Sequence, residues 1–163
     1  MRFRNAELLD LEKIVDIYNS IVDSRMVTAD TEKVSVESRK KWFEEHNSET
    51  RPLWVVEDAD QMVGWVSFSS FHERPAYSGT VEVSIYLDAS CRGKGYGKTI
   101  LQYCIDNAAK FGVKNLVALI FLHNEPSLKL FRHFGFEDWG TLPDVAVLDG
   151  VERSLKILGR RVD

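Results

Sequence analysis

Thr80-Val81-Glu82-Val83-Ser84-Ile85-Tyr86-Leu87, followed at once by Asp88-Ala89-Ser90-Cys91-Arg92-Gly93-Lys94-Gly95-Tyr96-Gly97, decides how this chain is read. The first eight residues alternate. Val81, Val83, Ile85 and Leu87 fall on one face of an extended strand, and Glu82, Ser84 and Tyr86 on the other. Beyond the glycines, Ile100, Leu101, Cys104, Ile105 and Ala108 recur at helical spacing. That spacing predicts a helix from about Gly95 to Phe111, closed by Gly112. Strand, glycine turn, helix is the context in which a glycine segment binds phosphate. The first helical turn offers backbone N–H groups without internal partners, and the helix dipole adds positive charge there. Gly93, Gly95 and Gly97 remove the β-carbons that would hold a pyrophosphate away, and Arg92, Lys94 and Lys98 add charge around it.

Three nucleotide patterns compete for this segment. A P-loop ending at Gly97-Lys98-Thr99 requires glycine where Arg92 stands. A dinucleotide fingerprint starting at Gly93 requires glycine where Lys98 stands. The pattern that fits is R-x-x-G-x-G, Arg92 to Gly97.

Working outward, the rest of the chain reads as one domain over residues 1–163, with no repeat, low-complexity stretch or Pro/Gly-rich linker. Arg2 to Ala6 is a first strand. Leu8, Leu11, Ile14, Val15, Tyr18, Ile21 and Val22 predict a helix from about Leu8 to Asp23. Arg25 to Val34 is a polar loop, and Ser35 to His46 a second helix with Trp42 and Phe43 inward. Pro52–Glu57 and Met62–Phe71 are strands joined by a turn, and Phe71–Gly79 is an aromatic, polar loop. Leu116–Leu122 is a buried strand, Pro126–Phe134 a short helix ending at Gly135, and Phe136–Thr141 and Glu152–Leu158 are the last strands. A mixed sheet with helices on both faces follows.

Composition narrows the function. The chain has 163 residues, 44% of them hydrophobic, which allows a sizeable core and excludes disorder. A net charge of −4 argues against a nucleic-acid partner. There is no apolar signal region, and the longest apolar run, ending at Leu122, is too short to span a bilayer, so a cytoplasmic protein without a membrane partner is expected. Cys91 and Cys104 give neither a disulfide framework nor metal-ligand spacing, and packing explains both; no metal is expected. His72 and His123 stand in no triad or metal pattern and read as loop histidines facing solvent or substrate.

The Arg92–Gly97 pattern and the strand before it resemble the GCN5-related N-acetyltransferase superfamily. So does Leu122-His123-Asn124-Glu125-Pro126-Ser127, which runs into a helix closed by Gly135-Phe136. The resemblance implies an α/β (α+β) fold with a mixed, mostly antiparallel central sheet and helices on both faces. It implies acetyl-CoA as cosubstrate: the backbone of Ile85, Tyr86 and Leu87 along the pantetheine arm, Arg92–Lys98 (Gly93, Lys94, Gly95, Tyr96 and Gly97 between) at the pyrophosphate, and Asn124 and Ser127 as further contacts. Tyr18-Asn19, Thr80–Leu87 and Phe71–Tyr77 are similar to the phosphinothricin and methionine-sulfone N-acetyltransferase branch. That likeness implies a small amine acceptor held near Ala29, Phe71, Arg74, Tyr77, Glu82 and Ser84, and a homodimer.

The chain departs from the branch where the acceptor is held. Ala29 stands where relatives carry an aromatic, Phe131 where they carry His or Tyr, and Leu148 and Gly150–Ser154 replace a Lys and a G-x-W-x-D pattern. The attacking amine must lose a proton, which a carboxylate can take directly or through water. Glu82 on the cofactor strand is the candidate base or substrate ligand; the alternative is a surface carboxylate on an edge strand. A backbone N–H of Val83–Tyr86 would steady the oxyanion. Phe131 cannot protonate the thiolate, so water or no dedicated acid is expected, with Tyr86 and Tyr77 as weaker candidates. Arg74 and Tyr77 would anchor an acceptor carboxylate. Another amine (polyamine, aminoglycoside, protein N-terminus) and a non-catalytic acyl-CoA-binding module are the alternatives.

Overall fold

A computed structural model describes residues 1–163. Its elements run β1 (Arg2–Asn5), α1 (Leu11–Val22), α2 (Val36–Glu44), β2 (Leu53–Asp58), β3 (Gln61–Ser70), β4 (Thr80–Leu87), α3 (Tyr96–Asn107), β5 (Asn115–Phe121), α4 (Glu125–His133), β6 (Glu137–Leu148) and β7 (Val151–Arg161). One seven-stranded sheet has the order β1-β2-β3-β4-β5-β7-β6. Every neighbouring pair is antiparallel except β4 with β5. The glycine turn and α3 supply the crossover that a parallel pair needs.

Alternation in β2 sends its side chains to two cores. Trp54 and Val56 pack with Ile100, Leu101 and Cys104 of α3 and Leu128 and Phe131 of α4. Leu53 and Val55 pack with Ile14 and Ile17 of α1, and Trp42 and Phe43 of α2 lie against them. The sheet is therefore covered by α1 and α2 on one face and by α3 and α4 on the other. Cys104 is fully buried and Cys91 packs against the same core, so both cysteines serve packing. No helix is long and apolar enough to cross a membrane.

Three sequence expectations need correction. The first helix starts at Leu11, after a separate tight turn over Leu8–Asp10, and Leu8 is 63% exposed although it fits the apolar spacing. β6 and β7 are much longer than expected and form a hairpin through Asp149 and Gly150, at φ 52° and 78°. Asp-Gly with both residues left-handed is the two-residue turn whose twist matches paired strands. β4 is the fourth strand of seven, so Glu82 does not stand on an edge.

Candidate active site

β4 and β5 pair only at Thr80–Asn115, Val81–Leu116 and Glu82–Val117. β4 continues to Leu87, held on its other side by β3, and β5 continues to Phe121. Past Glu82 no strand lies beside the β5-facing edge of β4. The wedge between the two strands is the mouth of a cavity of about 400 Å³. Its walls are Glu82–Leu87 of β4 and Ala118–Phe121 of β5. Ile21, Met26, Val27, Asn124, Ser127 and Phe131 also line it. Arg92, Gly93 and Gly97 enter from the turn before α3.

That turn has the geometry the sequence predicts. Gly93 and Gly95 sit at φ 77° and 78°, the left-handed region that favours glycine, and Gly95 immediately precedes the first turn of α3. A Cβ on Gly97 would stand 3.1 Å from Leu130 Cδ2 of α4, so glycine there lets the two helices approach. Arg92, Lys94 and Lys98 are exposed and form no ion pair in the chain. Lys94, Gly95, Tyr96 and Lys98 are not in the cavity wall. Tyr96 points away from it: its hydroxyl donates to the Asp58 carboxylate at 2.6 Å and ties the turn to the β2–β3 hairpin. Only its main chain is available to a ligand at the helix start.

Asn124 is buried and works for the architecture. Its side-chain oxygen accepts from the Ser127 N–H, capping α4, and its amide donates to the Met26 carbonyl at 3.1 Å. His123 Nε2 donates to the Arg25 carbonyl at 2.8 Å and its ring lies on Phe121, so His123 is a structural tie and not the solvent-facing histidine expected. The Arg25 guanidinium pairs with Asp149 at the tip of the β6–β7 hairpin at 2.8 Å. The stretch from Arg25 to Val27 is thus pinned against the cavity from two directions.

A second cavity, about 190 Å³, lies on the α1 and α2 side of the sheet. Ile14, Val15 and Tyr18 of α1, Arg39 and Trp42 of α2, and Trp65, Ser67 and Ser69 of β3 line it. Glu82, Ser84 and Tyr86 line both cavities. Burial raises the Glu82 carboxyl above its ordinary value, with no hydrogen bond or charge opposing the shift. The Tyr86 ring stacks on Trp65 at 4.5 Å, and burial pushes its hydroxyl well above the usual range, which makes it a poor acid at neutral pH. Phe131 is in the wall of the first cavity, edge-on to Phe136 at 5.0 Å, and has no proton to give.

Sequence reasoning missed the group around Tyr18. Its hydroxyl bonds both Thr28 and Asp30, Arg39 Nη2 donates to Asp30 at 2.9 Å, and the Arg39 guanidinium lies 5.0 Å from the Tyr18 ring centre. These contacts join a helix, a loop and a second helix, and no periodicity in the chain marks them. The expected acceptor residues are placed differently. Ala29, Phe71, Arg74 and Tyr77 are exposed and line neither cavity. Phe71 and His72 gather around Tyr77, with ring centres 6.1 and 5.0 Å away, and Arg74 has no ion pair. No three His, Cys, Asp or Glu side chains converge as a metal-ligand group.

A split parallel pair with a glycine turn at the helix beside it defines the acetyltransferase class, and the comparisons agree. Residues 3–146 match the family described as Acetyltransferase (GNAT) domain, and the chain belongs to that family. It is 52% identical to YwnH of Bacillus subtilis, which bears the name of a phosphinothricin acetyltransferase, over 99% of both chains. It is 34% identical to the L-methionine sulfoximine/L-methionine sulfone acetyltransferase of Pseudomonas aeruginosa, over 87% of this chain and 83% of that one. Among solved structures it superposes on the phosphinothricin acetyltransferase of Sinorhizobium meliloti in complex with acetyl-CoA. The TM-score is 0.90 and the identity 27%, over 99% of this chain and 88% of that one.

Proposed function

We propose that this chain transfers the acetyl group of acetyl-CoA to the primary amine of a small amino-acid-like acceptor, of the phosphinothricin or methionine-sulfone kind, with Glu82 as the base. The observation that carries the reading is that Glu82 is at once the last β4 residue paired with β5 and a wall of both cavities. A carboxylate there meets whatever lies in the split and whatever approaches from the helix side.

The chain's own groups fit the donor. The unpaired edge of Ile85, Tyr86 and Leu87 suits an extended amide-bearing arm, and the first cavity can take it. The Arg92–Lys98 segment offers glycine-exposed N–H groups, a helix N-terminus and three unpaired cations to a pyrophosphate. Asn124 and Ser127 face the same cavity, with Asn124 holding its wall. When bound, acetyl-CoA supplies the activated acyl group.

Glu82 takes the proton of the acceptor ammonium, and its raised pKa makes it a stronger base than an ordinary carboxylate. A β4 backbone N–H past Val83 steadies the charge that develops on the thioester oxygen. With Phe131 in the wall, water protonates the departing thiolate. The acceptor approaches from the loop between β3 and β4, where Phe71, Arg74 and Tyr77 are exposed, Phe71 is bonded to Thr80 two residues before Glu82, and Arg74 is free to pair with a carboxylate; Ser84 lies on the same face of β4 as Glu82, and Ala29 is the small residue where relatives carry an aromatic.

The chain works as a homodimer in this reading. β6 is an edge strand that exposes Leu142, Val145 and Val147, an apolar row that a second copy would cover. Light scattering in solution tests the dimer. A thiol-release assay with acetyl-CoA across methionine sulfone, phosphinothricin, other amino acids, polyamines and aminoglycosides tests the reaction. Turnover with amino-acid-like acceptors supports it, and turnover confined to polyamines or aminoglycosides, or none at all, overturns it.

A further inference from the structure

We infer that Ser67, Ser84 and Arg39 hold the acceptor's side chain, and that they select an uncharged head with hydrogen-bond-accepting oxygens, such as a sulfone or a sulfoximine. The inference rests on the reading of Glu82 as the base and deepens it on the acceptor side. In that reading the amine lies at Glu82, and the carboxylate points to the β3–β4 loop, which is bonded to β4 at Thr80. The side chain then runs the other way along β4, over Ser84. Ser84 is two residues on and on the same face, about 6.6–6.8 Å from Glu82 along the strand. A methionine-length side chain spans that step.

The floor of the second cavity at that point is a pair of serines. Ser67 of β3 and Ser84 of β4 are directly opposed, and both line the cavity. Ser67 is only 1% exposed, yet neither its hydroxyl nor that of Ser84 makes a hydrogen bond within the chain. The serines that follow on β3 do: Ser69 bonds His46 at 3.2 Å and Ser70 bonds Arg51 at 2.9 Å. A buried hydroxyl without a partner costs free energy until a ligand or a water completes it.

Arg39 sets the polarity. It lines the same cavity and gives only Nη2 to Asp30, at 2.9 Å. Its Nε and Nη1 have no partner in the chain. A serine hydroxyl can donate or accept, whereas a guanidinium only donates, so the complementary head carries acceptor oxygens. Charge balance decides which head. Arg39 and Glu82 are the only charged residues in the lining. Asp30 offsets Arg39, and the acceptor's ammonium offsets Glu82. No cation is left over for a phosphinate or carboxylate head, which would add an unbalanced negative charge to a partly buried site. Val15, Trp42 and Trp65 supply an apolar wall for the methylenes, and the Trp65 ring is fixed by its N–H, which donates to the Ile14 carbonyl at 3.1 Å.

The test measures kcat/KM for methionine sulfone, methionine and phosphinothricin at saturating acetyl-CoA, in the unmodified protein, Ser67→Ala and Arg39→Gln. Methionine sulfone should lead, with methionine about tenfold or more behind because it leaves the buried donors unpaired, and phosphinothricin behind as well. Each variant should lower the value for methionine sulfone about tenfold and leave that for methionine nearly unchanged. A merely structural role would lower both acceptors alike. Equal use of methionine and methionine sulfone, a preference for phosphinothricin, or a sulfone-to-methionine ratio that either variant leaves unchanged overturns the inference. Calorimetric titration of each acceptor into the CoA-bound protein separates this pocket from the reaction. Tighter binding of methionine sulfone than of methionine, lost in Ser67→Ala but without turnover, would sink the acetyl transfer and keep the pocket. Equal binding of the two would sink the pocket whatever the turnover.

Discussion

Glu82 and Val117 are the last residues at which β4 and β5 pair, and the cavity that fits the donor opens at the next position of each strand. The Glu82 carboxylate therefore stands at the vertex of the split. One more paired residue would narrow the mouth of the cavity, while β3, through Ser69, holds Glu82 in the sheet from the other side.

Burial at that vertex makes Glu82 a reporter of pH. Its folded-state pKa is raised, so its contribution to stability is full below the ordinary value of 4.5 and is lost as pH rises through the raised value. Glu82→Gln, which removes the buried charge, should therefore melt at a higher temperature than the unmodified protein at pH 8. The difference should vanish at about pH 4. Thermal melts across this range check it. The acid limb of kcat/KM should likewise lie above 4.5, because the base must be ionised.

The glycine turn should act on the donor alone. Arg92→Ala removes a cation from the cavity wall and should raise KM for acetyl-CoA about tenfold with little change in kcat. Gly95→Ala keeps the charge but places a β-carbon at φ 78°, which costs about 1–2 kcal/mol. Steady-state kinetics at varied acetyl-CoA, with a melt for each variant, separate charge from backbone.

Asn124→Ala should affect both stability and donor binding. It loses the α4 cap and leaves the Met26 carbonyl without its partner, at a combined cost of about 1–3 kcal/mol. The wall at Met26 and Val27 then loosens, and KM for acetyl-CoA rises. Denaturant melts measure the first effect and titration of CoA the second.

Remote acid sensitivity has a different source. Asp10 receives two hydrogen bonds from the Arg4 guanidinium at 2.8 Å, which hold its carboxyl below the ordinary 3.8. A depressed carboxylate stabilises the fold above its unfolded pKa and loses that contribution as pH falls through the folded one. Asp10→Asn should lower Tm at pH 7 and leave it unchanged at about pH 2, as melts at the two pH values would show.

The strand, glycine turn and helix that border the first cavity were legible in the sequence because they are local. Strand alternation, three glycines and a helical period all lie within Thr80–Phe111, and the structure keeps that order. The long hairpin was missed although Asp149-Gly150 signals its turn, because Pro143 and the register shift between Leu142 and Ala146 break the alternation of β6. The second cavity was not legible at all. Tyr18, Arg39, Ser69 and Glu82 are far apart in the chain, and only the antiparallel β3–β4 register and the packing of α1 and α2 bring them together. The acceptor loop is the reverse case: Phe71, Arg74 and Tyr77 carry a family likeness, yet in a single chain they face solvent.

Glu82, at the vertex of the split, is the proposed base for acetyl transfer to an amine. The direct measurement is kcat for thiol release by Glu82→Gln at neutral pH, with saturating acetyl-CoA and the best acceptor found for the unmodified protein. A fall of about 10²-fold or more, with KM for acetyl-CoA nearly unchanged, is the predicted result. Full kcat in Glu82→Gln would contradict it.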